Sequence, residues 1–211
     1  MTDSPERNSL RERVLEATLP HVPFDGWTLA ALASGAVDAG LAPETALRAF
    51  PRGAVEAVEF WCTRADRRMM EALAARDLGL LKTRERVALG VRLRLAALEH
   101  HREALRRALG LFALPLHAGA AGLSLWRTVD AIWYAAGDRA TDFNFYTKRA
   151  LLAGVYGATL LYWLDDRSEG AAETWAFLDR RIADAMSVPR KLAALGQRLS
   201  ALPGPWRWFR A

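Results

Sequence analysis

Between Asp130 and Arg149 the chain reads DAIWYAAGDRATDFNFYTKR, its densest set of residues able to do chemistry. Three carboxylates, Asp130, Asp138 and Asp142, fall within thirteen positions, with Trp133, Phe145, Tyr146 and Arg149 interleaved. Carboxylate pairs are raw material for general acid–base catalysis, provided that each faces the proton it moves. Here, however, Asp138 and Asp142 follow the Gly137 turn, where one helix ends and the next begins. Short acidic side chains at such places satisfy free backbone N–H groups, so both read as turn and capping residues. Aromatic rings beside carboxylates and an arginine are the composition of a contact surface. The stretch therefore reads as an interface rather than a catalytic centre.

Other catalytic chemistries lack their residues. The histidines are His21, His100, His101 and His117, and no Glu is followed three positions later by a His. That excludes the inward-facing Glu-x-x-His pairs of di-iron bundles. There is no His-Glu-x-x-His zinc pattern, no glycine-rich phosphate loop and no Gly-x-Ser-x-Gly elbow. His100 and His101 lie in the polar run Glu99–Glu103 and read as solvated helix surface. Cys62 is the only cysteine, which fits a reducing compartment and rules out an intrachain disulfide or a cysteine-based zinc site. No enzyme activity, metal or cofactor is expected.

The elements that must position these residues are helices. Just over half of the 211 residues are hydrophobic and a quarter are charged, a globular composition. Apolar residues recur at spacings of three and four, with breaks at Pro20–Gly26, Gly40–Pro43, Pro51–Gly53, Gly79, Gly110–Gly122, Gly137, Gly170 and Pro203–Pro205. This punctuation predicts an all-α chain of about nine or ten helices. Thr28 is placed to cap Leu29–Asp38, Gly40 to stop it, and Pro43 to open Glu44–Phe50, the outline of a helix-turn-helix. The second of those helices carries only Arg48, with Arg52 just beyond, too few donors for reading DNA. A long helix from about Ala54 to Arg76 follows. Ser124 is expected to cap a helix ending near Ala136, and Thr141 or Asp142 the next, reaching Leu164. From Ala150 to Leu164 there is no charged residue. Fifteen residues are too few to span a bilayer, so this is a buried helix. Its small residues Ala150, Ala153, Gly154, Gly157 and Ala158 suit close helix packing or leave room for an apolar ligand. For a lipid pocket the candidates are Phe143, Leu152, Val155, Tyr156 and Leu160.

The net charge of +5 sits in the tail. After Met186 come Arg190, Lys191, Arg198, Arg207 and Arg210 with no acid, leaving equal numbers of acids and bases before them. Ser187 is expected to cap a final helix with Pro189 in its first turn. Val188, Leu192, Leu195, Leu199 and Leu202 form one apolar stripe, and Trp206, Trp208 and Phe209 follow a Pro-Gly-Pro stop. Stripe, cations and terminal aromatics together predict a helix lying on an anionic membrane. Met1–Leu10, with Asp3 and Glu6, does not read as a targeting peptide, which predicts a cytoplasmic protein peripheral to the inner face of a bacterial membrane.

VDAIWYAAGDRATDFNFYTKR at Val129–Arg149, RALLAGVYGATLLYWLDD after it and TWAFLDRRIADAM at Thr174–Met186 resemble a known family. It is the ubiquinone biosynthesis accessory proteins of mitochondria and alphaproteobacteria. The resemblance runs from about Arg11 to Met186, and its most specific parts are the Asp-x-x-Trp, Ala-Gly-Asp and Thr-Asp-Phe-Asn elements. It implies a tetracycline-repressor-like helical bundle with a degenerate N-terminal helix-turn-helix, a homodimer, and a C-terminal amphipathic membrane helix. It further implies a cavity for a lipid or isoprenoid quinone, no turnover, and docking to the demethoxyubiquinone hydroxylase. Carried onto this sequence, the partner surface is Asp130, Trp133, Asp142, Phe145 and Tyr146. The family has a Trp-Tyr pair after the Asn where this chain has Phe145-Tyr146. Three regions are expected: 1–53 with the helix-turn-helix outline, a lipid-binding and dimerising core at 54–186, and a membrane-binding tail at 187–211. The competing expectation is a lipid-sensing transcriptional regulator of the tetracycline-repressor class.

Overall fold

The computed structural model describes residues 5–138 and 143–200, with the backbone alone for 143–144 and 188–200. Every element among them is helical. In order they are α1 (Pro5–Thr18), the single turn α2 (Val22–Asp25), α3 (Leu29–Asp38), α4 (Thr45–Ala49), α5 (Ala54–Ala74), α6 (Thr83–Ala96), α7 (Arg102–Phe112), α8 (Ala118–Ala135), α9 (Phe143–Asp165) and α10 (Ala172–Ser200). No single helix among the described residues is long and apolar enough to cross a membrane. The chain forms two compact units, Met1–Arg149 and Ala150–Ala211.

In the first unit α1 packs on α3 and α4, and the long α5 packs on α6 and α8. Thr28 caps α3 as expected, its hydroxyl accepting from the Ala31 N–H at 3.0 Å. The approach of α3 to α1 requires a glycine: a Cβ on Gly35 would stand 2.2 Å from Thr18 Oγ1 and 2.7 Å from the Thr18 backbone. Backbone cannot yield as a side-chain tip can. Gly35→Ala is therefore expected to lower the unfolding free energy by about 2 kcal/mol or more, measurable by urea denaturation. Leu15, Leu19, Leu32, Phe50, Trp61, Met69, Leu95, Leu98 and Ile132 are fully buried. Over this core α1 and α5 are tied by charge. Arg11 donates to Glu56 at 2.8 Å with its guanidinium over the Phe60 ring, and Arg64 donates to Glu16 at 2.6 Å.

In the second unit the end of α9 meets the start of α10. Tyr162 and Phe177 stack with centroids 4.8 Å apart. Asp166 organises the connection by accepting from the Ser168 N–H at 2.7 Å and from the Thr174 N–H at 2.9 Å. Hydrogen bonds to Ser168 and Thr174 hold its carboxyl well below the ordinary carboxylate range. Because the folded value is depressed, the turn's stabilisation is present above that range and is lost as pH falls below it. Amide exchange at Ser168 and Thr174 should accelerate in the Asp166→Asn variant at neutral pH. In the parent the same loss should appear only in acid.

Several local expectations are corrected. Ser124 is not an N-cap: α8 begins at Ala118, and Ser124 lies within it, buried, with its hydroxyl unpartnered. Gly110, Gly119 and Gly122 are accommodated inside helices, and the break falls instead at residues 113–117, where Pro115 opens a short 3₁₀ turn. Ser187 does not start a helix either. α10 runs unbroken from Ala172 to Ser200, and the Ser187 hydroxyl donates back to the Asp184 carbonyl at 2.7 Å. His101 is half-buried, edge-on to Trp61 at 6.3 Å, and burial pushes its pKa below that of a free imidazole.

Candidate partner-docking site

The residues that carry the sequence's densest chemistry sit where α8 turns into α9. The last turn of α8 closes with the Gly137 N–H donating to the Tyr134 carbonyl and the Asp138 N–H to the Trp133 carbonyl, both at 3.0 Å. Gly137 takes φ +90°, a left-handed conformation that a side chain disfavours. Beyond it, the first turns of α9 lie against α8, and the Trp133 indole N–H donates to the Lys148 carbonyl at 3.1 Å.

Arg149 is the hub of this junction. Its side chain is 4% exposed. It donates to Asp130 Oδ1 at 2.6 Å, to Asp138 Oδ2 at 3.4 Å and to the Phe145 carbonyl at 3.3 Å. The guanidinium carbon lies 3.4 Å from the centroid of the Phe145 ring. Lys148 Nζ binds the other Asp138 oxygen at 2.8 Å and stands 5.7 Å from the Trp133 ring. Asp138 thus forms ion pairs in addition to following the Gly137 turn. A buried arginine satisfied by two carboxylates and a carbonyl fixes Phe145 and its neighbours in place.

The surface this produces is aromatic with an acidic rim. Phe145 and Tyr146 pack edge to face at 5.1 Å. Trp126 stacks on Tyr146 at 6.2 Å with planes 28° apart, and lies 6.2 Å from Phe145. Tyr146 is 62% exposed, and the Asp130 carboxylate remains about half exposed at the edge. Of the residues expected at the partner surface, Asp130, Trp133, Phe145 and Tyr146 come together here. Asp142 lies outside the described residues.

Trp126 and Lys148 were not singled out from sequence, although Trp126 carried a signal. It precedes Asp130 by four positions and Trp133 by seven, the spacing of one helix face. No group of three or more His, Cys, Asp and Glu side chains is placed to hold a metal among the described residues.

Of the pocket candidates, Leu152, Val155, Tyr156 and Leu160 are all buried, at 3–8% exposure, on one face of α9. The Phe143 side chain lies outside the described residues. So do the side chains of Val188, Leu192, Leu195 and Leu199, and the whole of Leu202, Trp206, Trp208 and Phe209. For the first four, the backbone belongs to α10.

Residues 118–189, which include α8, α9 and half of α10, match the COQ9 family model. Among curated proteins, the chain is 36% identical over 193 residues to the mitochondrial ubiquinone biosynthesis protein COQ9 of Rattus norvegicus, covering 88% of this chain and 62% of that protein. It is 35% identical to the Homo sapiens protein of the same name, covering 88% of this chain and 60% of the relative. The Drosophila melanogaster protein is 33% identical, covering 88% and 58%. The chain therefore spans about three fifths of the length of these relatives. Among solved structures, the TetR transcriptional regulator from Nitrosomonas europaea ATCC 19718 superposes with a TM-score of 0.69 at 22% identity. It covers 84% of this chain and 98% of the regulator, so the fold is of the tetracycline-repressor type, as the sequence implied.

Proposed function

We propose that this chain, which belongs to the COQ9 family of ubiquinone biosynthesis proteins, is a non-enzymatic accessory protein that holds an isoprenoid quinone or phospholipid at a membrane and presents ubiquinone precursors to the demethoxyubiquinone hydroxylase. The observation that carries this reading is the exposed Tyr146 on its rigid aromatic base. A ring left in water, braced by Trp126 and Phe145 and bordered by Asp130, is built to be covered by another protein.

A polyprenyl tail drawn into water costs about 0.8 kcal/mol for each exposed CH₂. A carrier seated on the bilayer, with an apolar interior and a dock for the enzyme, avoids most of that cost. The charge-free face of α9, with Leu152, Val155, Tyr156 and Leu160, is the proposed lipid contact, together with Phe143. The tail is the proposed anchor. Helical backbone through Ser200 is the conformation in which positions 188, 192, 195 and 199 share one side. The protein then works as a homodimer, peripheral to a membrane.

Deleting residues 187–211 should abolish flotation with anionic liposomes and leave the far-UV circular dichroism helical. Undiminished flotation would remove the anchor role. The regulator alternative is not favoured. α4 has five residues with Arg48 as its one cation, and the guanidinium of Arg52 is bound to Glu59 at 2.5 Å.

A further inference from the structure

α7 and α8 meet at an elbow that the docking site does not use. The two helical arms, Glu99–Phe112 and Pro115–Ala135, are bent by 97°. At the bend Leu114 is 51% and Leu116 87% exposed, and Leu123, two turns into α8, is 47% exposed. Ala113, Pro115, Ala118, Gly119 and Gly122 around them are exposed as well. No charged residue occurs from Ala108 to Trp126, and none is acidic from Ala104 to Val129. The charges bordering this run are Arg106 and Arg107 on α7 and Arg127 on α8, all exposed. Both Arg106 and Arg107 lie within ion-pair distance of Glu103, and Arg107 also donates to the Pro23 carbonyl at 3.1 Å, so the sequence sets two arginines against that one acid.

We propose that this elbow is a second membrane-contact site, a wedge whose leucines enter the interfacial zone of an anionic bilayer while the flanking arginines meet lipid phosphates. The inference rests on the reading that the protein works at a membrane. Three features select this occupant. A leucine as exposed as Leu116 is disfavoured in water and is stabilised by an apolar surrounding. The 97° bend makes the pair unsuitable as a straight span and suitable for a tip that dips in and returns. The charge is of one sign and is set back from the tip. At about 1.5 Å rise per residue, Arg107 and Arg127 lie roughly 8–14 Å along their helices from the bend, near headgroup depth when the tip sits about 5–10 Å into the interface. A protein partner would call for acidic or hydrogen-bonding groups among the leucines, and the run has none beyond Ser124, which is buried, and His117.

The test uses the full chain in a Cys62→Ala background, with an environment-sensitive fluorophore on Leu116→Cys, and on Glu71→Cys as a control. Vesicles contain phosphatidylcholine and phosphatidylglycerol at about 7:3, with brominated acyl chains as quenchers. The expected result is a blue shift and bromine quenching at position 116 only, together with about tenfold weaker vesicle binding by the unlabelled Leu114→Ser, Leu116→Ser double variant. If the protein binds vesicles through its tail while the label at 116 stays in water, the wedge is overturned and the membrane reading survives. A blue shift without lipid that grows with protein concentration overturns it in favour of a second copy of the chain. If neither labelled protein binds vesicles, the wedge and the membrane reading fall together.

Discussion

Alanine at Tyr146 is expected to weaken binding to the demethoxyubiquinone hydroxylase about thirtyfold, equivalent to about 2 kcal/mol, without altering stability. The ring is more exposed than buried, so its removal opens no core cavity. Its partners Trp126 and Phe145 stay in place, because Phe145 is held under Arg149. The loss should therefore fall on the complex alone. Tyr146→Phe should keep most of the affinity, because the stack with Trp126 needs the ring and not the hydroxyl. Biolayer interferometry with the purified hydroxylase reads the effect, and unchanged melting temperatures would establish that the fold is not at issue. Equal affinity for Tyr146→Ala and the parent would move the dock elsewhere.

The second large effect is on stability. Replacing Arg94 by Met should lower the unfolding free energy by about 3–5 kcal/mol. Arg94 has a side chain only 2% exposed and donates to Asp66 at 2.5 Å and to the Cys62 carbonyl at 3.2 Å. Thr128 of α8 donates to the same Asp66 oxygen at 2.9 Å, so one carboxylate joins α5, α6 and α8. Without the guanidinium, the Asp66 charge is left in a largely buried place with a single hydroxyl. The double variant Asp66→Leu, Arg94→Met should recover most of the loss, since an apolar pair of similar volume removes the unpaired charge. Urea denaturation of the single and double variants decides this, and a single variant within 1 kcal/mol of the parent would contradict it. Such a result would mean that water or another group satisfies Asp66.

Much of the fold was legible because local chemistry and tertiary packing agree. Thr28 caps α3, the bounds of α3 match the expected Leu29–Asp38, and the elements among the described residues are helical, as spacing indicates. The sequence misleads where an isolated residue type competes with packing. Gly119 and Gly122 weaken a helix by only about 1 kcal/mol each relative to alanine, which packing outweighs, so α8 begins six residues before Ser124. Ser187 stands among residues whose helix is already propagating, and its hydroxyl returns to the Asp184 carbonyl instead of starting a new turn. At the site, composition read Asp138 as a turn and capping residue and did not show its ion pairs. Those pairs form because Lys148 and Arg149, near the start of α9, lie beside the end of α8. The elbow leucines were hidden for a similar reason. A run of Leu, Ala and Gly reads as core until the bend that exposes it is known.

The proposed lipid carriage is open to direct measurement. Its most direct test is mass spectrometry of an organic extract of the protein purified from a ubiquinone-producing host, paired with native mass spectrometry of the intact chain. An isoprenoid quinone or phospholipid is expected at close to one per subunit, retained through gel filtration. A chain recovered empty from lipid-replete cells, with no adduct in the native spectrum, would contradict it.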